Sequence, residues 1–334
     1  METHELFLNR AGRLRSGWRL GIFTLLAVAL MVLATSLVRI VYVLAWLAHS
    51  NATLGAYLED VVFRLLILTS VLLAGLICNH WLEGLPWRAL GLWFHPHWLR
   101  DLWVGSLIGI GSLALAALIA FAFGGVRFTI SGQEIYGGVL QTVFSTALLF
   151  IIAALAEESL FRGYPLQTLC RADLAWLAVL LTSVPFAVIH LQNPNATAFS
   201  SINTGLAGIW LAAAYLRTRS LWFPLGVHWA WNWAQGSILG LPVSGITNLA
   251  AHPVFRAYDH GPAWLTGGSY GLEGGVACTA ALVLSTLFIW RTRSVSATDE
   301  MKRLTSQENP VSLTARQKPD PGVPSRASRR GWDG

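Results

Sequence analysis

Along most of this chain apolar residues do not alternate with polar ones; they run together. Apolar stretches near 20–38, 60–79, 102–124, 139–160, 174–190, 199–216, 221–240 and 272–290 approach the ~20 residues that a helix rising about 1.5 Å per residue needs to cross a hydrocarbon core. The pattern predicts an all-α fold, a polytopic membrane helix bundle of about eight transmembrane helices. The edges of the fourth and fifth spans are the least sharp, because the chain between them stays partly apolar. The first run lacks a small-residue cleavage site and leads into more apolar sequence, so it reads as a retained span, not as a signal peptide.

The polar stretches between the runs suggest an organisation. An N-terminal segment over 1–19 precedes a first group of spans over 20–138; a core over 139–240 is followed by an outer loop and last span over 241–291. From 292 to 334 the chain turns to Ser, Thr, Pro, Gln and mixed charge, with no apolar periodicity to bury, and a disordered tail is expected.

Composition agrees: 54% of residues are hydrophobic and only 12% charged, against about a quarter charged in soluble domains, which excludes a soluble fold. The net charge of +6 does not imply nucleic acid, because the arginines are scattered one or two per loop and form no stripe. With the N-terminus cytoplasmic, Arg10, Arg13, Arg15, Arg19, Arg88, Arg100, Arg171, Arg217, Arg219, Arg291 and Arg293 fall on inner segments, and Arg39, Arg64, Arg127 and Arg256 on or near the other side. That bias places both termini inside, next to anionic lipid. Several of the sixteen Trp, among them Trp81, Trp87, Trp103 and Trp290, lie near span ends and read as an aromatic belt. Cys78, Cys170 and Cys278 show no ligand or disulfide spacing and read as packing residues.

An ionisable residue within a span costs roughly 2.5–3.5 kcal/mol even on lenient insertion scales. Away from span ends few occur: Glu157, Glu158 and Arg162 in one span, His190 in the next, and His228 with the polar Asn232 in a later one. Glu158 and Arg162 stand four apart and can pair on one helix face, whereas Glu157 is turned by about 100° and stays available. His228 and Asn232 likewise project from one face, and Phe186 precedes His190 by the same interval. Each residue alone could be a structural link between helices; a spare Glu, two His and an Asn spread over three spans are harder to explain that way. No HExxH sequence and no pair of membrane aspartates occurs, and Ser244 lies in an expected outer loop with no evident base. What remains is a site in which a carboxylate and histidines activate water.

These residues resemble the CPBP intramembrane proteases, which include the type II CAAX prenyl endopeptidases. Glu157, Glu158 and Arg162 match the family's EExxxR, continued by FRGY from Phe161 to Tyr164; Phe186 and His190 match FxxxH, and His228 and Asn232 match HxxxN, in the family's order. The likeness covers about 140–240. It implies that Glu157 activates a water with help from His190, that His228 and Asn232 bind the oxyanion, and that Arg162 holds Glu158 in place. The partners implied are the lipid bilayer and a peptide or protein substrate at the membrane, with no cofactor. A zinc-dependent version would use Glu157, His190 and His228 as ligands with water in the fourth position. The alternative from another class is a non-catalytic membrane scaffold, or a transporter relaying protons through the same Glu/His set. If the fourth helix continues through Thr168, the helical rise places Glu157, His190 and His228 roughly 20, 26 and 13 Å from the inner boundary, depths that demand tilted helices or different span edges.

Overall fold

The structure, a computed structural model, describes residues 6–9, 12–47, 52–132, 136–247 and 249–306. Apart from single helical turns, the helices in chain order are α1 (Ser16–Leu47), α2 (Ala52–Glu83), α3 (Trp98–Ala122), α4 (Tyr136–Phe161), α5 (Tyr164–Arg171), α6 (Ala175–Ile189), α7 (Ala198–Thr218), α8 (Trp222–Trp233), α9 (Val276–Arg291) and α10 (Asp299–Ser306). Each of the eight apolar runs is helical. Six segments are long and apolar enough to cross a membrane, namely Ser16–Ile40, Glu59–Glu83, Trp98–Ala122, Gly137–Arg171, Ala175–Gln192 and Ala198–Thr218, and Val276–Arg291 is a shorter apolar helix. The outer face carries Leu25, Val32, Leu118, Phe144, Leu180 and Phe288 exposed, a surface suited to lipid and not to water. The chain is a multi-pass membrane protein.

The centre of the bundle is α8, which packs against α3, α4 and α7 and buries Phe223, Leu225, Val227, Ala230 and Trp231. Its closest neighbour is α3, and small residues explain the approach. A Cβ on Gly105 would lie 2.3 Å from the Phe223 carbonyl oxygen, one on Gly109 2.3 Å from that of Val227, and one on Gly226 2.2 Å from that of Leu102. Glycine at spacing four opens a groove on α3 into which the α8 backbone settles, the small-xxx-small packing of membrane helices. Hydrogen bonds between polar side chains reinforce the bundle: Ser112 Oγ meets Ser285 Oγ at 2.7 Å and Trp210 Nε1 donates to the same oxygen at 2.8 Å, joining α3, α7 and α9.

At one end of the bundle Glu83 is buried between two arginines. Arg171 donates to it through Nε and Nη2 at 2.6 and 3.0 Å, and Arg19 Nη1 lies 3.2 Å away. Arg19 and Arg171, assigned to inner loops from the sequence, are thus 1% and 2% exposed and fasten α1 and α5 to α2. The same end holds the start of the expected tail, and here the structure departs from the reading of disorder. Arg217 donates to the carbonyls of Thr292 and Val295. Val295, Met301 and Thr305 are fully buried, Trp93 Nε1 donates to Met301 Sδ at 3.2 Å, and Arg88 pairs with Glu300 at 3.4 Å. Met301 and Thr305, four apart on one face, with Val295 in the lead-in, seat α10 despite its polar composition. The rest of the tail, 307–334, lies outside the described residues.

At the opposite end two short strands depart from the all-helical expectation. β1 (Val126–Ile130) pairs antiparallel with β2 (Phe255–Asp259), Val126 opposite Asp259 and Ile130 opposite Phe255, and so ties the loop after α3 to the loop before α9.

Candidate active site

The two glutamates sit on the last turns of α4, and the helix ends soon after them. A Cβ at Gly163 would come within 2.2 Å of the Ser159 carbonyl oxygen, so the chain turns there and α5 begins as a separate helix. The fourth helix therefore does not run unbroken through Thr168, although the apolar segment continues to Arg171, and depths counted along one unbroken rod do not apply. Likewise α6 stops at Ile189, and His190 opens a single 3₁₀ turn beyond it.

Glu158 is fully buried. Its Oε1 accepts from Arg162 Nη1 at 3.2 Å, the pairing expected from the i,i+4 spacing, and also from His228 Nδ1 at 2.9 Å. Arg162, equally buried, donates through Nη2 to the Gly208 carbonyl at 3.0 Å, and its guanidinium carbon lies 4.7 Å from the centre of the Phe186 ring. One ion pair thereby links α4, α6, α7 and α8. The bond from Glu158 to His228 was not read from the sequence, since it depends on how α8 docks.

Glu157 points elsewhere. Its side chain keeps 28% of its surface open, its Oε2 lies 3.7 Å from His228 Nε2, and that oxygen has no hydrogen-bond partner among the described residues. His228 thus stands between the two carboxylates, Nδ1 toward Glu158 and Nε2 toward Glu157. His190 Nδ1 donates to the Phe186 carbonyl at 2.7 Å, which assigns the tautomer and leaves Nε2 as the acceptor in the neutral ring. Phe186 packs edge-on against Phe161 and His228 and in contact with His190. The Asn232 amide, one turn beyond His228, has no hydrogen-bond partner among the described residues.

Glu157, His190, His228 and Asn232 all line one cavity of about 290 Å³. Asn203 and Thr204 of α7 and Arg64 of α2 line it too, the last held by Asp60 through two contacts of 3.1 Å. Sequence reasoning passed over two further residues here. Ser244, set aside as an outer-loop serine without a base, lies on the cavity beside a carboxylate, that of Glu273. Burial pushes the Glu273 carboxyl above its ordinary range, against the opposing pull of hydrogen bonds from Ser244 and Gln235 and the nearby charge of His190. Its one sequence signal is position: an acidic residue at the very edge of the last apolar run. Among the described residues no three His, Cys, Asp or Glu side chains gather closely enough to hold a metal ion. Glu157, His190 and His228 share the cavity without forming such a set.

Residues 138–234, under a third of the chain, match the family model described as type II CAAX prenyl endopeptidase Rce1-like. The matched segment contains Glu157, Glu158, Arg162, His190, His228 and Asn232 and stops short of Ser244 and Glu273. No curated protein and no solved structure matches the chain. Over residues 138–234 the chain is thus similar to the Rce1-like family of type II CAAX prenyl endopeptidases.

Proposed function

We propose that the chain is an intramembrane endopeptidase that hydrolyses peptide bonds of membrane-associated substrates with a water activated by Glu157. The family match supports peptidase activity of the CAAX-protease type in general. The observation that carries the finer reading is the unpartnered Glu157 Oε2 in a cavity shared with His190, His228 and Asn232. A carboxylate oxygen without a donor, partly withdrawn from water, is a base in want of a proton. In this reading Glu157 takes a proton from a water whose oxygen attacks the substrate carbonyl, with His190 Nε2 accepting the water's other hydrogen bond. The oxyanion of the tetrahedral intermediate accepts hydrogen bonds from the Asn232 amide and from His228. As an imidazolium, His228 donates through Nδ1 to Glu158 and presents Nε2–H to the cavity. Glu157 then returns its proton to the departing amine as the C–N bond breaks. Arg162 balances Glu158 and holds the imidazole ring in place through it.

The test is cleavage of quenched fluorescent peptides, with and without a prenylated cysteine, by the purified chain in detergent micelles. Wild type should cleave and Glu157→Gln should fall by roughly 10²–10⁴-fold, the usual contribution of a general base. A Glu157→Gln protein that cleaves at a comparable rate sinks the glutamate mechanism. Cleavage should persist in chelator; loss on chelation with recovery on added zinc would favour the zinc-dependent version instead.

A further inference from the structure

The cavity that holds Glu157 has a second wall, made by residues that lie beyond the family-matched segment: Val243, Ser244, Ile246, Leu249 and Glu273. Its loop is built firmly. Val243 and Ile246 close a tight turn with bonds of 3.1 and 2.9 Å, and Gly245 N donates to the Tyr270 carbonyl at 2.9 Å. Gly245 has φ +83°, and a Cβ there would lie 1.8 Å from the Pro194 carbonyl oxygen, so the turn is pressed against the chain that follows His190.

Glu273 fastens this turn with one oxygen only. Its Oε2 accepts from the Ser244 backbone N–H, from Ser244 Oγ at 3.2 Å and from Gln235 Nε2 at 3.2 Å. Its Oε1 has no hydrogen-bond partner among the described residues. The backbone on either side is held as well, since Asn203 Nδ2 donates to the Glu273 and Gly275 carbonyls at 2.8 and 3.0 Å. A carboxyl fixed by its backbone and one oxygen, with the other oxygen unused on a cavity wall, is a placed acceptor. A peptide entering the cavity brings backbone N–H groups that lose water and need acceptors. Asn203 Oδ1, on the α7 side of the cavity, is already taken by Thr279 Oγ1 at 2.7 Å.

We propose that Glu273 is a substrate-binding residue whose Oε1 accepts a hydrogen bond from a backbone N–H of the bound peptide. The assignment rests on the endopeptidase reading and adds to it a contact from outside the matched domain. Glutamine at 273 separates binding from scaffolding. The donors from Ser244 and Gln235 require an oxygen at the Oε2 position, so the amide of Glu273→Gln keeps the latch and turns its NH₂ toward the cavity. An acceptor becomes a donor.

The experiment measures KM and kcat of wild type and Glu273→Gln on a quenched fluorescent peptide with a prenylated cysteine followed by three residues. A second series replaces one backbone amide at a time by an ester, which removes a single N–H. Glu273→Gln should raise KM by about tenfold or more with kcat within a few-fold, as expected for a hydrogen bond to a charged group. One ester position should raise the wild-type KM similarly and add nothing in the variant. An unchanged KM in Glu273→Gln, or ester and variant effects that multiply at every position, overturns the assignment. The same labelled peptide binding to Glu157→Gln, with and without Glu273→Gln, reads the contact without turnover. Absence of cleavage by wild type therefore strikes at the proposed activity, while equal affinity of those two proteins strikes at Glu273 alone.

Discussion

Glu157 and Glu158 are adjacent in the chain, yet Glu158 is fully buried and accepts hydrogen bonds from Arg162 and His228, whereas Glu157 opens onto the cavity with its Oε2 3.7 Å from His228 Nε2, beyond hydrogen-bond distance. Glu157→Gln should be inactive but folded, since its lone oxygen holds nothing together. Glu158→Gln should act through stability: it removes the charge facing Arg162 in a fully buried pair, a loss that in comparable buried pairs amounts to roughly 3–5 kcal/mol. Thermal unfolding of the two purified variants checks the contrast, and equal melting temperatures would contradict it. A second residue with a measurable consequence is His95, in the loop before α3. Burial, with help from His97 and Arg100, pushes it down to about 4, and its Nε2 shares a 3.0 Å hydrogen bond with Ser220 Oγ. In the unfolded chain the ring titrates near 6.5. The stability that depends on a neutral His95 is therefore complete above about pH 6.5 and lost as pH falls toward 4, on the order of 3 kcal/mol. Unfolding of wild type and His95→Gln across pH 4 to 7 should converge at the acid end. Of these residues the i,i+4 pairs were legible in the sequence, because helix geometry alone fixes them. Glu158 with His228, and Ser244 with Glu273, were not, because they join elements whose docking no local spacing encodes.

At the scale of elements, the apolar runs announced the helices, and what they hid is where helices stop. The break after Phe161 is written in Gly163 and in a backbone contact that becomes visible only once the turn has formed. The α3–α8 seam is similar: Gly105 and Gly109 are legible as a GxxxG pair, but nothing in the sequence says that their partner is the helix bearing His228. Gly109→Leu should displace α8 and with it His228 and Asn232, abolishing cleavage and lowering stability by more than the roughly 1–3 kcal/mol typical of overpacking, because backbone and not a flexible side chain stands in the way. A surface Gly111→Leu on the same helix, where a Cβ meets nothing within 4 Å, is the control. Glu83→Gln is expected to loosen α1 and α5 from α2, since Arg19 and Arg171 then face each other without a full counter-charge; trypsin sensitivity at these arginines reads it.

The whole molecule places Arg19, Arg88, Arg171 and Arg217 at one end and the paired strands at the other. With the arginine-rich end cytoplasmic, reporters fused after Gly334 and inserted near Thr247 should report opposite sides of the membrane; the same side for both would refute that orientation. The tail divides. Truncation after Ser306 should leave yield and melting temperature intact, whereas truncation after Ser294 removes the buried Val295, Met301 and Thr305 and should lower both.

The cavity is assembled from two parts of the chain that leave the ribosome at different times. At about 5–20 residues per second, Leu249, Glu273, Cys278 and Leu282, which complete its lining, follow Asn232 by seconds. During that interval the nascent chain already bears Glu157, His190, His228 and Asn232 but has no far wall and no paired β2. On the endopeptidase reading, the active site should therefore stay incomplete until insertion of the chain is nearly finished. Stalled chains ending before 255 should be inserted yet unable to cleave.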